Sequence, residues 1–520
     1  MNKSKVFALI LVLLFLLQVV TGVVAMVNMA KLDMLPDNLA VPLVILVVLV
    51  WLLTAVLMFW DPWDMFRGIV RRVIAGVLAI LMAAGSIVVS VVAKDVYDTF
   101  DEITNQDPPE EYVSMMVHVR KDDAATGISD TRNYRYGIVE YDNEDETWAS
   151  VAKLEEKLNA TLRIVRYDNL EEMIFGLLDG TCDAVLIYEG YIEIIEDEEE
   201  GYPDYVAGSR ELYQVQLKDE DLEDVSIPTE ETVQIPTTTE PTEPSYDLPD
   251  SGTVINGAFA VYISGSDSRK ATLPMNGRND VNILAIVNPT TKQILLINTP
   301  RDYYVYNPAK KCMDKLTHCG NNGVNNSMGA LADLYDVEVK YYARMNFKGL
   351  ITLVDAIGGV AIYSEKEFSA MGVPIKKGYN LLNGGQALCF ARERKHLAGG
   401  DNARGQNQMI LIKAIVAKMT SGSTIISNYT GILSSLTNMF KTNMSLNDIS
   451  LLVKMQLSDM ASWEVYSYAA TGKNGKMAIS YLGSAKRYVM IPHESSVNKA
   501  KAAIDKLFAN ELITNADVKK

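Results

Sequence analysis

LCFARERKHLAGGDNARGQNQ, residues 388–408, gathers Arg392, Arg394 and Arg404 around Asp401, directly after an apolar run. Residues 387–394 read as a strand ending in Arg-x-Arg, which puts Arg392 and Arg394 on one face because strand side chains alternate. After Gly399-Gly400 the pattern changes to a helix, QMILIKAIVAKM, with Asp401 or Asn402 as its cap. On that helix Asp401, Arg404 and Gln408 fall at i, i+3 and i+7, again one face. A strand end and a helix start, both carrying anion-binding groups, meet here. A single turn of this kind reads as a surface ion-pair cluster; matching groups elsewhere in the chain raise it above that.

The chain has 520 residues, enough for two or three domains, and a formal net charge of −17. Such a balance argues against nucleic acid as a partner and makes any basic site local. The four cysteines (Cys182, Cys312, Cys319, Cys389) have no metal-binding spacing, and the four histidines are scattered, which argues against zinc. Cys312 and Cys319 stand as a disulfide or as two thiols; the spacing does not choose.

Residues 6–27, 39–60 and 73–93 are three apolar runs, each able to cross a hydrocarbon core of roughly 30 Å. They are too long and too many for a cleaved signal peptide. Lys3 and Lys5 precede the first run, and Arg67, Arg71 and Arg72 separate the second from the third. The loop between the first two runs carries only Lys31 against Asp33 and Asp37. By the positive-inside rule the N-terminus is cytoplasmic and everything after Lys94 is outside. Residues 1–95 are therefore expected to be a multi-pass cell-membrane anchor, with the rest of the chain extracellular.

Residues 112–217 alternate strand and helix patterns, which suggests a parallel βαβαβ layer. Their order, and LLDGTCDAVLIYEG in particular, resembles one lobe of an extracellular solute-binding protein; a spacer or partner-docking domain reads equally well. Residues 193–200 (EIIEDEEE) form a solvated acidic run. Residues 218–250 are rich in Pro, Thr and Glu and read as a linker. From 251 to 510 the chain becomes globular again. A strand ending in a polar turn (AFAVYISGSDSR, 258–269), a hairpin around Pro-Thr-Thr-Lys, helices near 324–335, 347–357, 429–440, 446–457 and 495–508, and further strands give an α-β-α sandwich with a mixed central sheet.

Three Arg/Asp sites in that segment complete the opening stretch: Asp267 with Arg269, Arg278 with Asp280, and Arg301 with Asp302, each at a strand terminus. Guanidinium groups bind phosphate oxygens in pairs and keep their charge. Carboxylates beside them would repel phosphate unless a hard cation bridges the two, and Mg²⁺ does so with few protein ligands. Pyrophosphate chemistry uses this mixture, neutralising transferred and leaving phosphates while a hydroxyl attacks.

GSDSR, RNDVN, NTPRD, YARMNFKGLITLVDAIGGV, LNGGQALCFARER, D-x-x-R and Gln408, in that order, resemble the LytR–CpsA–Psr family over about residues 252–510. The resemblance implies a membrane-anchored extracellular phosphotransferase. It would move a glycopolymer, such as teichoic acid or capsule, from a polyprenyl-pyrophosphate carrier to a peptidoglycan acceptor in a Gram-positive envelope. It further implies that Asp267 and Asp280 hold Mg²⁺, with Mn²⁺ as the alternative. Arg278, Arg301, Arg392 and Arg394 would grip the pyrophosphate, with Arg404, Gln408 and Arg269 around it. Asp401 would orient the arginines or act as the base. The apolar helices at 324–335 and 347–357 would line a groove for the lipid tail. Asn279 stands where the family more often has Ser or Thr, and Cys389 where a small residue is usual. Two rival readings remain: a pyrophosphatase on lipid-linked intermediates, and a non-enzymatic membrane sensor or regulator of envelope synthesis.

Overall fold

The computed structural model describes residues 3–60, 65–104, 113–139, 143–197, 201–218, 221–222, 254–266, 273–394, 397, 400–420 and 439–519. The expected linker therefore lies almost wholly outside the described residues, as do Asp267 and Arg269.

Three helices open the chain: α1 (Lys3–Leu32), α2 (Asp37–Phe59) and α3 (Met65–Thr104). Each contains a stretch long and apolar enough to cross a membrane, at Leu9–Leu32, Asp37–Phe59 and Gly68–Thr99. The third helix outruns the expected span. Its 40 residues extend about 60 Å at 1.5 Å per residue, about twice a hydrocarbon core of roughly 30 Å. Val96 of α3 and Met34 pack against Leu446, Ile449 and Val453 of the C-terminal domain, and Lys454 Nζ reaches Asp33 at 2.9 Å.

The middle domain is a five-stranded sheet in the order β3-β2-β4-β1-β5, with β1 Val113–Arg120, β2 Arg135–Val139, β3 Arg163–Tyr167, β4 Ala184–Tyr188 and β5 Ser209–Leu217. Helices α4 (Glu144–Leu158) and α5 (Leu170–Asp179) make the crossovers that a parallel pairing requires. Asn169 caps α5 by accepting from Glu172 N–H, and Gly180 ends it at φ +84°. The expected parallel βαβαβ layer forms from β2, α4, β3, α5 and β4; β1, which precedes that run, lies antiparallel to both β4 and β5. No crossover helix joins β1 to β2, only a short 3₁₀ turn at Ile128–Thr131, so β1 is free to insert in the opposite sense.

The C-terminal domain is built on a six-stranded mixed sheet. Its strands are β6 (Phe259–Ser266), β7 (Val281–Asn288), β8 (Gln293–Asn298), β9 (Val339–Asn346), β10 (Phe440–Thr442) and β11 (Glu464–Ala469), in the order β10-β9-β6-β7-β8-β11. The Pro-Thr-Thr-Lys hairpin joins β7 to β8: Asn288 Oδ1 accepts from Thr290 and Thr291 N–H, and Lys292 takes φ +56°. Strand alternation fills two cores. Leu284, Ile286, Leu295 and Ile297 face α6 (Val324–Tyr335) and the last helix, Glu494–Phe508. Ile283, Ala285, Ile294 and Leu296 face Met409, Ile412 and Val416 of a helix over Gly400–Thr420. The domain is thus the expected α-β-α sandwich.

Two local expectations are corrected, and a third lies mostly outside the described residues. Residues 387–394 are not a strand: Gly384–Arg392 is α-helix, α8 after α7 (Phe347–Ala356). Asn383 and Gln386 form a capping box at its start, and Ala387, Phe390 and Ala391 bury at i, i+3 and i+4. The apolar face of α6 sits in the core, as Val324, Met328, Leu331 and Tyr335 show, and so is not the wall of a groove. Of the helix expected at 429–440, residues 429–438 lie outside the described set, and Phe440 opens β10. All four cysteines are free thiols.

Candidate functional site

One edge of the C-terminal sheet collects the ends of β6, β8 and β9 and the start of β7, because β7 alone of these runs the other way. Asp280 immediately precedes β7. Arg301 follows β8, and Phe347 follows β9 as the first residue of α7.

Arg301 Nη1 donates to Asp280 Oδ1 at 2.6 Å, and Arg404 Nη1 stands 4.0 Å from Asp280 Oδ2. Arg404 arrives on α9 (Gly400–Thr420), which lies close because Gly405 lets the helix press onto β8. A Cβ there would fall 2.2 Å from Asn298 Nδ2. One turn on, Gln408 Nε2 reaches the Ala391 carbonyl at 3.5 Å, and Asn407 Nδ2 donates to the Phe390 carbonyl at 3.0 Å. These contacts seat α9 on the end of α8. Arg392, the last residue of α8, stacks its guanidinium 4.4 Å from the centroid of the Phe347 ring. Neighbouring strands are about 4.8 Å apart, so Phe347, two strands from β7, stands roughly 10 Å along the edge from Asp280. Arg392 and Arg394 are both exposed, and Glu393 between them is buried, accepting from Met371 N–H at 2.7 Å. The strand alternation expected to put the two arginines on one face is absent, because Arg392 ends a helix and Arg394 lies beyond it.

Arg278 shares a cavity with Arg301, Lys315, Thr317, His318 and Arg487. Its loop is held by backbone bonds to the next turn: Gly277 N–H donates to Gly320 O, and Thr317 N–H donates to Arg301 O at 2.8 Å. Beneath that turn lies Asp314, fully buried. It accepts from Tyr481 Oη (2.8 Å) and Asn307 Nδ2 (3.1 Å) and pairs with His318 Nδ1 (2.7 Å). Burial pushes the Asp314 carboxyl up, but the charge and hydrogen bond of His318 and the Tyr481 and Asn307 bonds outweigh it and hold the group below the usual carboxylate range.

The sequence reading missed Arg344. It is completely buried on β9, where Nε donates to Pro274 O and Nη1 to Ser264 Oγ, each at 2.8 Å, and Nη1 also to Asn279 Oδ1. Asn279 lies between Arg278 and Asp280, so Arg344 fixes the segment presenting both. A charged residue inside the apolar strand pattern of VKYYARM was the available signal. Lys315 and Arg487, also missed, enter through tertiary contacts alone. Asp401 lies in the first turn of α9, with its side chain outside the description, as are Asp267 and Arg269.

The structure thus joins Asp280, Arg301 and Arg404 directly, adds Arg278 through a shared cavity, and sets Arg392 further along the same edge. Such an edge, rich in guanidinium groups around one carboxylate, marks an α/β domain suited to anionic ligands. The LytR_cpsA_psr family model matches residues 228–497, and the chain belongs to that family. A polyisoprenyl-teichoic acid–peptidoglycan teichoic acid transferase, TagU, of Enterococcus faecalis is 33% identical over 192 residues, 37% of this chain and 63% of that protein. Its counterpart in Bacillus mycoides is 32% identical over 187 residues, 36% of this chain and 60% of that protein. The chain therefore spans somewhat less than two thirds of these relatives. A solved structure of TagT bound to LI-WTA aligns at TM-score 0.40 and 25% identity, covering 51% of this chain and 96% of that one.

Proposed function

We propose that this protein is a membrane-anchored phosphotransferase whose C-terminal domain lies outside the cell. It moves a glycopolymer from a polyprenyl-pyrophosphate carrier to peptidoglycan. The observation that carries the reading is the convergence of Arg301 and Arg404 on Asp280, with Arg278 in the cavity beside them. An acceptor hydroxyl, such as a muramic acid C6-OH, attacks the sugar-linked phosphorus. The new P–O bond forms as the bridging P–O bond breaks, polyprenyl phosphate leaves, and the hydroxyl proton passes to a base, the role assigned to Asp401. Arg278, Arg301, Arg392 and Arg394 take the phosphate oxygens, and Arg404 holds Asp280 in place.

Among the described residues no group of three or more His, Cys, Asp or Glu is placed to hold a metal. Asp280, with Asp267, instead suits a hard cation that draws its remaining ligands from phosphate and water, as Mg²⁺ does. When bound, Mg²⁺ would neutralise phosphate charge. The anchor keeps the domain beside the bilayer that holds the carrier's tail, and the basic residues flanking α1 and α3 favour an extracellular C-terminal domain.

The test is transfer of labelled lipid-linked polymer to peptidoglycan by the full chain in detergent. Covalent transfer is expected. Arg301→Ala and Arg392→Ala should each cut it about 10- to 100-fold, the weight of a charge-assisted contact. Release of free polymer without transfer would mark a hydrolase, and full activity in both variants would remove the proposed pocket.

A further inference from the structure

Among the described residues, the middle domain enters the arginine-lined cavity with the carboxylate of Asp197. Asp197 Oδ2 lies 3.0 Å from Arg278 Nη1, and Asp197 and Ile194 line the same cavity as Arg301, Lys315, Thr317 and Arg487. The loop presenting Asp197 is closed on itself: Gly201 N–H donates to Asp197 O at 2.9 Å and Tyr202 N–H to Ile195 O at 2.8 Å. A Cβ on Gly201 would lie 2.4 Å from both of those oxygens, so only glycine fits this turn. The loop is then pinned to the C-terminal domain. Tyr202 Oη donates to Leu482 O and accepts from Arg487 Nη2, each at 2.6 Å. Around it the domains are firmly docked. Tyr188 Oη donates to Asn321 O at 2.9 Å, Lys310 Nζ bonds Asn143 Oδ1 and Tyr191 Oη, and Ile479, Tyr481 and Leu482 join the middle-domain core.

We propose that Asp197 is an internal competitor for the diphosphate: its carboxylate holds the Arg278 guanidinium and must yield it when the ligand binds. This rests on Arg278 being a diphosphate contact, as argued above. Carboxylate and phosphate oxygens address the same guanidinium fork, so one excludes the other there. Arg278, Arg301, Lys315 and Arg487 line the cavity with Asp197, and Asp280 and Asp302 lie beside Arg301 and Lys315. Thr317 Oγ1, buried and without a hydrogen bond among the described residues, lines the same space and can donate to it. Apparent affinity is then reduced by the fraction of molecules with Asp197 on Arg278, and anything that loosens the interface raises it. The middle domain becomes a gate on the site, and what docks on that domain sets the gate.

Calorimetric titration of the full chain in detergent with farnesyl diphosphate tests this. Asp197→Asn should bind about tenfold more tightly than wild type, with unchanged melting, while Asp197→Glu should restore the wild-type value. Arg278→Ala should bind more weakly, and adding Asp197→Asn to it should recover nothing. Equal affinity in wild type and Asp197→Asn overturns the competitor. Weaker binding does so too, by making Asp197 a support for Arg278. Unchanged binding in Arg278→Ala would instead strike at the assignment of Arg278 as a diphosphate contact.

Discussion

The middle and C-terminal domains are both mixed α/β sheets, yet they bury different side chains. In the middle domain the buried polar groups are small hydroxyls such as Ser114, Thr131, Thr147 and Ser150. The C-terminal domain buries Asn279, Asn282, Asn298, Asp314, Asn346 and Arg344, mostly at the sheet edge where Asp280 and Arg301 stand. Burying amides and charges costs several kcal/mol unless every group is bonded, and the bonds they make fix one geometry. A domain that only docks has no need of such a network. A domain that must hold several guanidinium groups in register does.

Arg344→Met gives the sharpest test of that difference. It leaves the acceptors Asn279 Oδ1, Ser264 Oγ and Pro274 O without their buried donor, at a cost of about 1–3 kcal/mol each before relaxation. A net loss of about 3 kcal/mol is expected, a fall of roughly 6–12 °C in the melting of a domain this size. Transfer should fall further than stability, since the Arg278–Asp280 segment loses its support. Scanning calorimetry of the full chain reads the first effect and the transfer assay the second. An unshifted transition would mean that the buried polar edge does not hold the site.

The middle domain should respond to acid through a half-buried imidazole with no hydrogen-bond partner among the described residues. His118 on β1 stacks on Tyr205, with ring centroids 5.9 Å apart, and neither ring nitrogen has a hydrogen-bond partner among the described residues. Burial lowers its pKa to about 4. The unfolded chain, titrating near 6.5, therefore binds the proton more readily than the folded one. The stabilisation is complete above about pH 6.5 and is lost as pH falls to about 4, on the order of 3 kcal/mol. Circular dichroism melts at pH 7 and pH 4.5 should show this loss, and His118→Phe, which keeps the stack, should flatten it. An unchanged slope in His118→Phe would assign the acid response to other groups.

How far each domain could be read from the chain follows the same division. The hairpin around Asn288–Lys292, the helix at 324–335 and the βαβαβ run of the middle domain are local patterns of period and turn chemistry, and they formed as expected. So did the strand-end placement of Arg278, Asp280 and Arg301. The helix at 384–392 was taken for a strand because CFARER alternates. Its helical signals, the Asn383–Gln386 box and the 387/390/391 spacing, lay upstream of the charged residues. Lys315, Arg487 and Asp197 were beyond reach for a different reason. Lys315 meets Asp302, Asp197 meets Arg278 and Arg487 meets Tyr202, the last 285 residues away, through the tertiary fold, and no local pattern encodes such a pairing.

Two asparagine caps offer the finest comparison. Asn169 caps α5 in the middle domain and Asn383 caps α8 in the C-terminal domain, each accepting an N–H three residues on. Replacing either by alanine should cost about 1 kcal/mol. Their stability losses should therefore match, whereas their effects on transfer should not. Helix α8 ends at Arg392, and α9, which brings Arg404 to Asp280, rests on the Phe390 and Ala391 carbonyls. Fraying α8 from its start shifts both arginines. Asn383→Ala should then lower transfer several-fold, while Asn169→Ala, equally destabilised, should transfer like wild type. Equal activities at matched stability would mean that α8 needs only to be folded, and that its cap has no part in aiming Arg392.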